Sequence, residues 1–195
     1  EKDLVVMRVS VPRGLAEKAS LPGSFVFLKA PDEEAFFSVP VSVAAADQEN
    51  GTVDFVIKVS GPKTESLMRG CGRNGHVELR GIYRNGLLGV EKLLDIAAKK
   101  VLCLTKGVGL APVANYIRWS EGRDKIDLIA DLDKVNRRFA DDVLEGAVLN
   151  SLKYGRLPLN MTWTEEEDYD VIVISASEYF QQNIYVPETK RVLSN

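Results

Sequence analysis

The rhythm of hydrophobic and polar positions changes once along this chain, near residue 98. Before that point apolar residues come in short runs with a period close to two, as strands require. Leu4–Val11 alternates loosely, Ser24–Ala30 follows the Pro22-Gly23 turn, and Val39–Ala44 reads VPVSVA. Gly51–Val59 sets Val53, Phe55, Ile57 and Val59 against Asp54, Val56 and Lys58, directly after the hairpin signal Asn50-Gly51. His76–Arg80 adds a fifth short strand. Little in this half has helical spacing. Strands divided by turn signals predict a small antiparallel barrel.

After residue 98 strands alternate with helices. The run Val101–Leu104 is a strand, and Leu110, Val113, Ala114 and Ile117 then recur at helical spacing. Asp127–Ala130 reads as a second strand, and Phe139, Val143 and Ala147 mark a second helix. Asp170–Ser175 is almost uninterruptedly apolar, as a strand covered on both faces should be. This half predicts an open, mostly parallel α/β sheet. Leu87–Lys100, with Leu93, Leu94, Ile96 and Ala97, is the expected connector, and Glu165–Asp168 a solvated acidic loop. The expected organisation is a barrel domain over 1–98 and an α/β domain over 99–195.

Composition narrows the function classes. A chain of 195 residues with 45% apolar and 27% charged residues has enough core for one or two domains. The net charge of -3 disfavours sequence-independent nucleic-acid binding, which needs a concentrated basic face. No apolar run approaches the roughly 20 residues of a membrane span. Two distant cysteines, Cys71 and Cys103, form no CxxC pair, so a reducing, cytoplasmic setting is expected.

The richest chemical signal is Val101–Val113, VLCLTKGVGLAPV. Strand, glycine turn and helix start bring unpaired backbone N–H groups and a positive helix end to one point, which suits a phosphate. Pro112 in the first turn is tolerated because its missing N–H had no intrahelical partner. A plain strand-to-helix connection reads the same way.

Five segments carry a family likeness. They are Pro22-Gly23-Ser24-Phe25-Val26, Val39-Pro40-Val41-Ser42-Val43, Gly61-Pro62-Lys63-Thr64, Gly81–Gly86 and Gly107-Val108-Gly109-Leu110-Ala111-Pro112. In this order they resemble the ferredoxin-reductase-like flavoprotein superfamily, and most closely the electron-transfer subunit of dihydroorotate dehydrogenase. The resemblance implies an oxidoreductase subunit that binds FAD and passes electrons between NAD(P)H and an iron–sulfur centre or a catalytic or electron-transfer partner subunit. It leaves self-association open. It implies flavin contacts from Val39, Pro40, Val41, Ser42, Gly61, Lys63 and Thr64, and dinucleotide contacts from Gly107, Gly109 and Ala111. Where such relatives carry a phosphate-pairing arginine this chain has Val39, and where they carry Cys-Gly-Pro it has Ser175-Ala176-Ser177. The C-terminal cysteine cluster that holds a [2Fe–2S] centre in those subunits has no counterpart among the two cysteines here. These departures keep a second expectation alive, a non-enzymatic interaction protein that retains the fold without the cofactor.

Each candidate also has a plainer role. Ser42 is either a flavin donor or a solvent-facing strand residue, and Lys63 and Thr64 either a phosphate nest or a surface turn. Tyr83 and Arg84 suit ring stacking or an ordinary turn. Phe36 and Phe37 are expected in the core, ahead of covering a flavin ring. The sole histidine, His76, has no Ser/Asp or Cys/His constellation around it, so triad and histidine-metal chemistry are disfavoured. Cys103 is expected buried and inert, and Cys71 in a glycine-rich turn, Gly70–Gly75. Asp131 and Asp133 follow the second strand, where an acid can hold an adenosine ribose or simply meet solvent.

Overall fold

The computed structural model describes residues 4–31, 33–87, 90–94, 97–157, 169–177 and 191–194. Five strands, β1 (Leu4–Ser10), β2 (Phe25–Lys29), β3 (Val39–Asp47), β4 (Thr52–Lys58) and β5 (Glu78–Tyr83), form one antiparallel sheet in the order β1-β4-β3-β2-β5. Met7 of β1 joins Val26, Val43, Val53, Phe55 and Ile57 in one core, against which Leu79 and Ile82 of β5 also pack. Strands at opposite edges of the sheet thus face the same interior, as in a barrel. Irregularities between Phe25 and Phe27 and between Val43 and Ala45 supply the bend.

Some strands alternate poorly because their outer face is also covered. Ala44 and Val56 point away from the barrel interior and are buried in a second core, with Leu4 and Val6 against it. The loose pattern of Leu4–Val11 has this cause. The expected hairpin is present: Asp47 accepts from the Asn50 amide at 2.9 Å, and Gly51 takes the left-handed φ of 63°.

The expectation of a strand-only first half is corrected by two helices, α1 (Arg13–Ala19) and α2 (Pro62–Asn74). Helix α1 packs on β3, β4 and β5 through the fully buried Ala16 and Ala19. Helix α2 contains most of the stretch read as a glycine-rich turn, including Cys71, and ends at Gly75 in the left-handed conformation. Gly70 stands where α2 meets the end of β2: a Cβ there would lie 2.4 Å from the Cβ of Ala30. Its glycine allows close packing inside a helix, not a turn.

The second sheet is parallel, with the order β10-β9-β6-β7-β8, from β6 (Lys100–Lys106), β7 (Lys125–Asp131), β8 (Ser151–Tyr154), β9 (Val171–Ser175) and β10 (Arg191–Ser194). Helix α3 (Leu110–Ser120) follows β6, and α4 (Lys134–Val143) follows β7. The open parallel sheet is as the periodicity indicated, although β8 and β10 are additions to it. Phe139 lies in α4 but Ala147 lies beyond its end. Ile96 and Glu165–Asp168 lie outside the described residues. Helix α3 is buried along nearly its whole length because it packs on β3 of the first sheet as well as on β6 and β9.

Hydrogen-bonded carboxylates fasten the edge of the second sheet where its strands begin. Buried Asp124 accepts from the Tyr116 hydroxyl at 2.6 Å, the Lys99 amide at 3.1 Å and the Arg123 guanidinium at 3.0 Å. Asp127 accepts from Asn150 at 2.8 Å, Tyr169 at 3.1 Å and Ser151. Burial pushes both carboxyls up, but donors outweigh it: Arg123 and Tyr116 at Asp124, and Ser151 and Asn150 at Asp127, hold both below the usual range.

Candidate functional site

Strand β3 changes partner partway along its length. Val43–Asp47 pair with β4, whereas Val39–Ser42 pair with β2. Where β3 leaves β4 a cavity of about 210 Å³ opens, walled by Val39, Pro40, Val41 and Ser42 on one side and Val56, Ile57 and Lys58 on the other. Thr64 of α2 and two second-lobe residues, Val108 and Ala111, complete it. The cavity therefore unites both halves of the chain. Its walls are mainly apolar with a few polar groups, the usual make-up of a small-molecule site.

The first turn of α2 borders this cavity. Gly61 precedes the helix in extended backbone with φ of 174°, and open space lies where its Cβ would be. Pro62 opens the helix, and the Thr64 hydroxyl donates to the Gly61 carbonyl at 3.0 Å while accepting from the Ser60 amide at 3.0 Å. The amides of Lys63 and Thr64 have no intrahelical acceptor, and the positive helix end lies beside them. Backbone groups rather than the Thr64 hydroxyl are thus what this turn offers an anion. The Lys63 ammonium sits 4.0 Å from the centre of the Phe36 ring.

The turn after β6 is built differently. It is helical from Gly107 onward, a short 3-10 turn (Gly107–Gly109) running into α3. Gly107 needs its glycine for a φ of 57° and has open space beside it. At Gly109 a Cβ would lie 2.0 Å from the Ser175 carbonyl oxygen at the end of β9. Close by, Thr105 and Ser175 are cross-strand partners, each 0% exposed, and neither hydroxyl has a hydrogen-bond partner. They sit where the chain order of the parallel sheet reverses, the usual ligand crevice of open α/β sheets.

Of the residues singled out in the sequence, the structure assembles Val39, Pro40, Val41, Ser42, Thr64 and Ala111 around one cavity. Gly61 and Lys63 adjoin it through α2, and Gly107 and Gly109 form the neighbouring turn. Val56, Ile57, Val108 and above all Lys58 are lining residues that the sequence reading missed. Lys58 looks like the ordinary polar partner in an alternating strand, and only the departure of β3 from β4 turns it toward the crevice wall.

The remaining candidates take other places. Asp131 is held by Lys106 at 2.6 Å, and Asp133 caps α4 by accepting from the Asn136 amide at 2.8 Å. Tyr83 packs on Phe25 at 5.2 Å and Phe27 at 5.7 Å, while Arg84 and His76 are exposed. Phe36 is 70% exposed, which corrects its expected core position. Burial pushes both thiols up, further for fully enclosed Cys103 than for half-buried Cys71, so neither has a reactive cysteine's environment. A larger groove of about 660 Å³ runs along the other end of the seam between the lobes. Its two arginines are already engaged: Arg8 pairs with Asp54 through two 2.7 Å contacts, and Arg118 donates to the carbonyls of Val143 and Glu145. Size alone does not make it the better site.

Among the described residues no helix is long and apolar enough to cross a membrane. No protein-family model matches the chain. An uncharacterized protein in the adh 3′ region of Clostridium beijerinckii is 30% identical over 119 residues, which are 58% of this chain and 37% of that protein. The chain thus spans well under half the length of this curated relative. Among solved structures, an NADH-dependent reduced ferredoxin–NADP oxidoreductase studied for flavin-based electron bifurcation superposes with a TM-score of 0.66 at 16% identity, over 98% of this chain and 69% of that one. The cytochrome b5 reductase domain of Ulva prolifera nitrate reductase superposes with a TM-score of 0.59 at 12% identity, over 100% of this chain and 92% of that one. A barrel-like antiparallel sheet followed by a parallel sheet with helices is the FAD/NAD-binding ferredoxin-reductase-like fold, and this chain has it.

Proposed function

We propose that the protein is an FAD-dependent oxidoreductase subunit that carries electrons between NAD(P)H and an iron–sulfur centre or partner subunit, in the manner of the dihydroorotate dehydrogenase electron-transfer subunit. The observation that carries this reading is the cavity at the β3–β4 splay, where apolar strand residues, Ser42, Lys58 and the open end of α2 meet Val108 and Ala111. These groups fit a flavin. An apolar slot receives a flat ring, Ser42 can bond to its polar edge, and the Lys63 and Thr64 amides can bind a phosphate. When bound, the flavin supplies the redox chemistry, and the protein supplies placement and electrostatics. Lys58 provides a cation on the strand beside the one where Val39 replaces the expected arginine. Residues 1–98 would then serve the flavin and residues 99–195 the nicotinamide.

The nicotinamide side is more tightly shut. Thr105 and Ser175 offer two unpartnered hydroxyls that suit a carboxamide, but Gly109 lies directly on Ser175 and encloses them. Admission of a ring there requires the turn and the end of β9 to part. The expected cytoplasmic setting agrees with two free cysteines.

Incubation with excess FAD followed by gel filtration tests the reading. A yellow protein with one flavin per chain is expected, and Lys58→Gln should weaken binding about tenfold, as loss of a charged contact does. Protein that emerges colourless sinks the proposal. That outcome would favour a second reading, an interaction protein of the same fold without cofactor, for which Val39 and the enclosed Ser175 speak. Removing an arginine–phosphate contact costs roughly 1.5–3 kcal/mol.

A further inference from the structure

We infer that the 3-10 turn Gly107–Gly109 is a hinged lid, whose closed form seals the Thr105 and Ser175 hydroxyls and whose open form admits a ligand to them. The identity of that ligand as a nicotinamide ring rests on the reading above, whereas the lid itself does not. The closed form carries a penalty. Thr105 and Ser175, side by side on β6 and β9, are wholly enclosed, and neither hydroxyl has a partner. A buried hydroxyl without a partner raises the free energy of the form that buries it, and opening returns it to water or to a ligand.

Packing alone holds the turn shut. Among the described residues no backbone hydrogen bond joins Gly107–Gly109 to β9. What closes it is the fit of Gly109 on the Ser175 carbonyl, where a Cβ would overlap the oxygen. Such a fit is short-ranged: a gap of about 1 Å already forfeits up to half of its attraction.

The chain also has a place to bend. Gly107 follows the extended Lys106 and takes its left-handed φ of 57° with open space beside it, so rotation there meets no neighbour. Val108, next in the turn, is 40% exposed and belongs to none of the packed cores. Beyond the turn Leu110, Val113 and Ala114 are fully buried, which anchors α3 while the turn moves. The segment between these two anchors is 3-10, with weaker hydrogen-bond geometry than an α-helix. The two glycines thus divide the work. Gly107 turns, and Gly109 seals.

Alkylation of the full chain by iodoacetamide reads the lid directly. In a Cys71→Ser background, Ser175→Cys puts a thiol beneath the turn, and the buried Cys103 of the neighbouring strand reports global unfolding. The thiol at position 175 should react at least about a hundredfold faster than Cys103, at a rate that low urea leaves unchanged, because opening one turn exposes little surface. Gly107→Ala should quicken that reaction about tenfold, since only the closed form needs the left-handed backbone that a Cβ disfavours. Thr105→Cys probes the same space if the variant at position 175 does not fold. Equal rates at position 175 and at Cys103, rising together with urea, overturn the lid, and an unchanged rate in Gly107→Ala overturns its hinge. Saturating NADH, added to FAD-loaded protein, should slow the reaction at position 175 by at least about tenfold. Fast labelling that NADH does not slow upholds the lid and overturns the nicotinamide reading.

Discussion

Two glycine turns open helices on facing sides of the crevice, and they differ in what the glycine is for. At Gly61 the backbone is extended and no atom lies within 4 Å of the missing Cβ, so the protein's own packing makes no demand for glycine there. At Gly109 the missing Cβ is filled by the Ser175 carbonyl, and the fold makes the demand itself. Sequence motifs of one type therefore carry two meanings. One turn is open and available to a ligand, and the other is a packing joint.

Substitutions can break this contrast, beginning with the largest effect. Gly109→Ala should destabilise the protein by about 3 kcal/mol, because a methyl group cannot share the space of a backbone oxygen at the end of β9. Urea unfolding measures it, and a loss below about 1 kcal/mol would mean that the joint is loose. Asp124→Ala should cost a similar amount, about 3 kcal/mol, by removing the buried carboxylate to which the Tyr116 hydroxyl and the Arg123 guanidinium donate. Acid should act at the opposite edge of the same sheet, where its strands begin. The folded-state pKa values of Asp124 and Asp127 are depressed, so their stabilisation is complete above the ordinary carboxylate pKa and is lost as pH falls through the folded values. Thermal unfolding should therefore shift downward on acidification below about pH 4. Asp124→Asn should shrink that shift.

Smaller effects sharpen the comparison. Thr105→Val removes a buried hydroxyl without a partner and should stabilise the fold by about 1 kcal/mol. Destabilisation instead would show that an ordered water satisfies it. Gly61→Ala should change stability by less than about 0.5 kcal/mol, since neither φ nor space opposes a methyl group. If a flavin phosphate lies against that Cα, affinity for FAD should still fall, and this separation of binding from stability marks the open turn.

Strands were the most legible part of the sequence because alternation survives wherever one face is buried. Phe55 and Ile57 inside against Asp54 and Lys58 outside give β4 away, whereas β1 blurs because Leu4 and Val6 pack on the second core. Helices α1 and α2 escaped for local reasons. Seven residues leave too few turns for a period, and Gly70 and Gly75 look like loop residues until Ala30 and the helix end account for them. The β3 wall was legible through its resemblance to a known motif. Lys58 and the Thr105–Ser175 pair were not, because their roles depend on which strands part and which meet.

The close approach of Gly70 to Ala30 sets the height at which α2 rides over the barrel. It stands eight positions after Pro62, or about 12 Å along the helix axis at 1.5 Å per residue. A wedge as small as one methyl group at position 70 would tilt that rod and lift its far tip from the crevice rim. The shape of the crevice rim is in this way adjustable from a point that does not line the cavity.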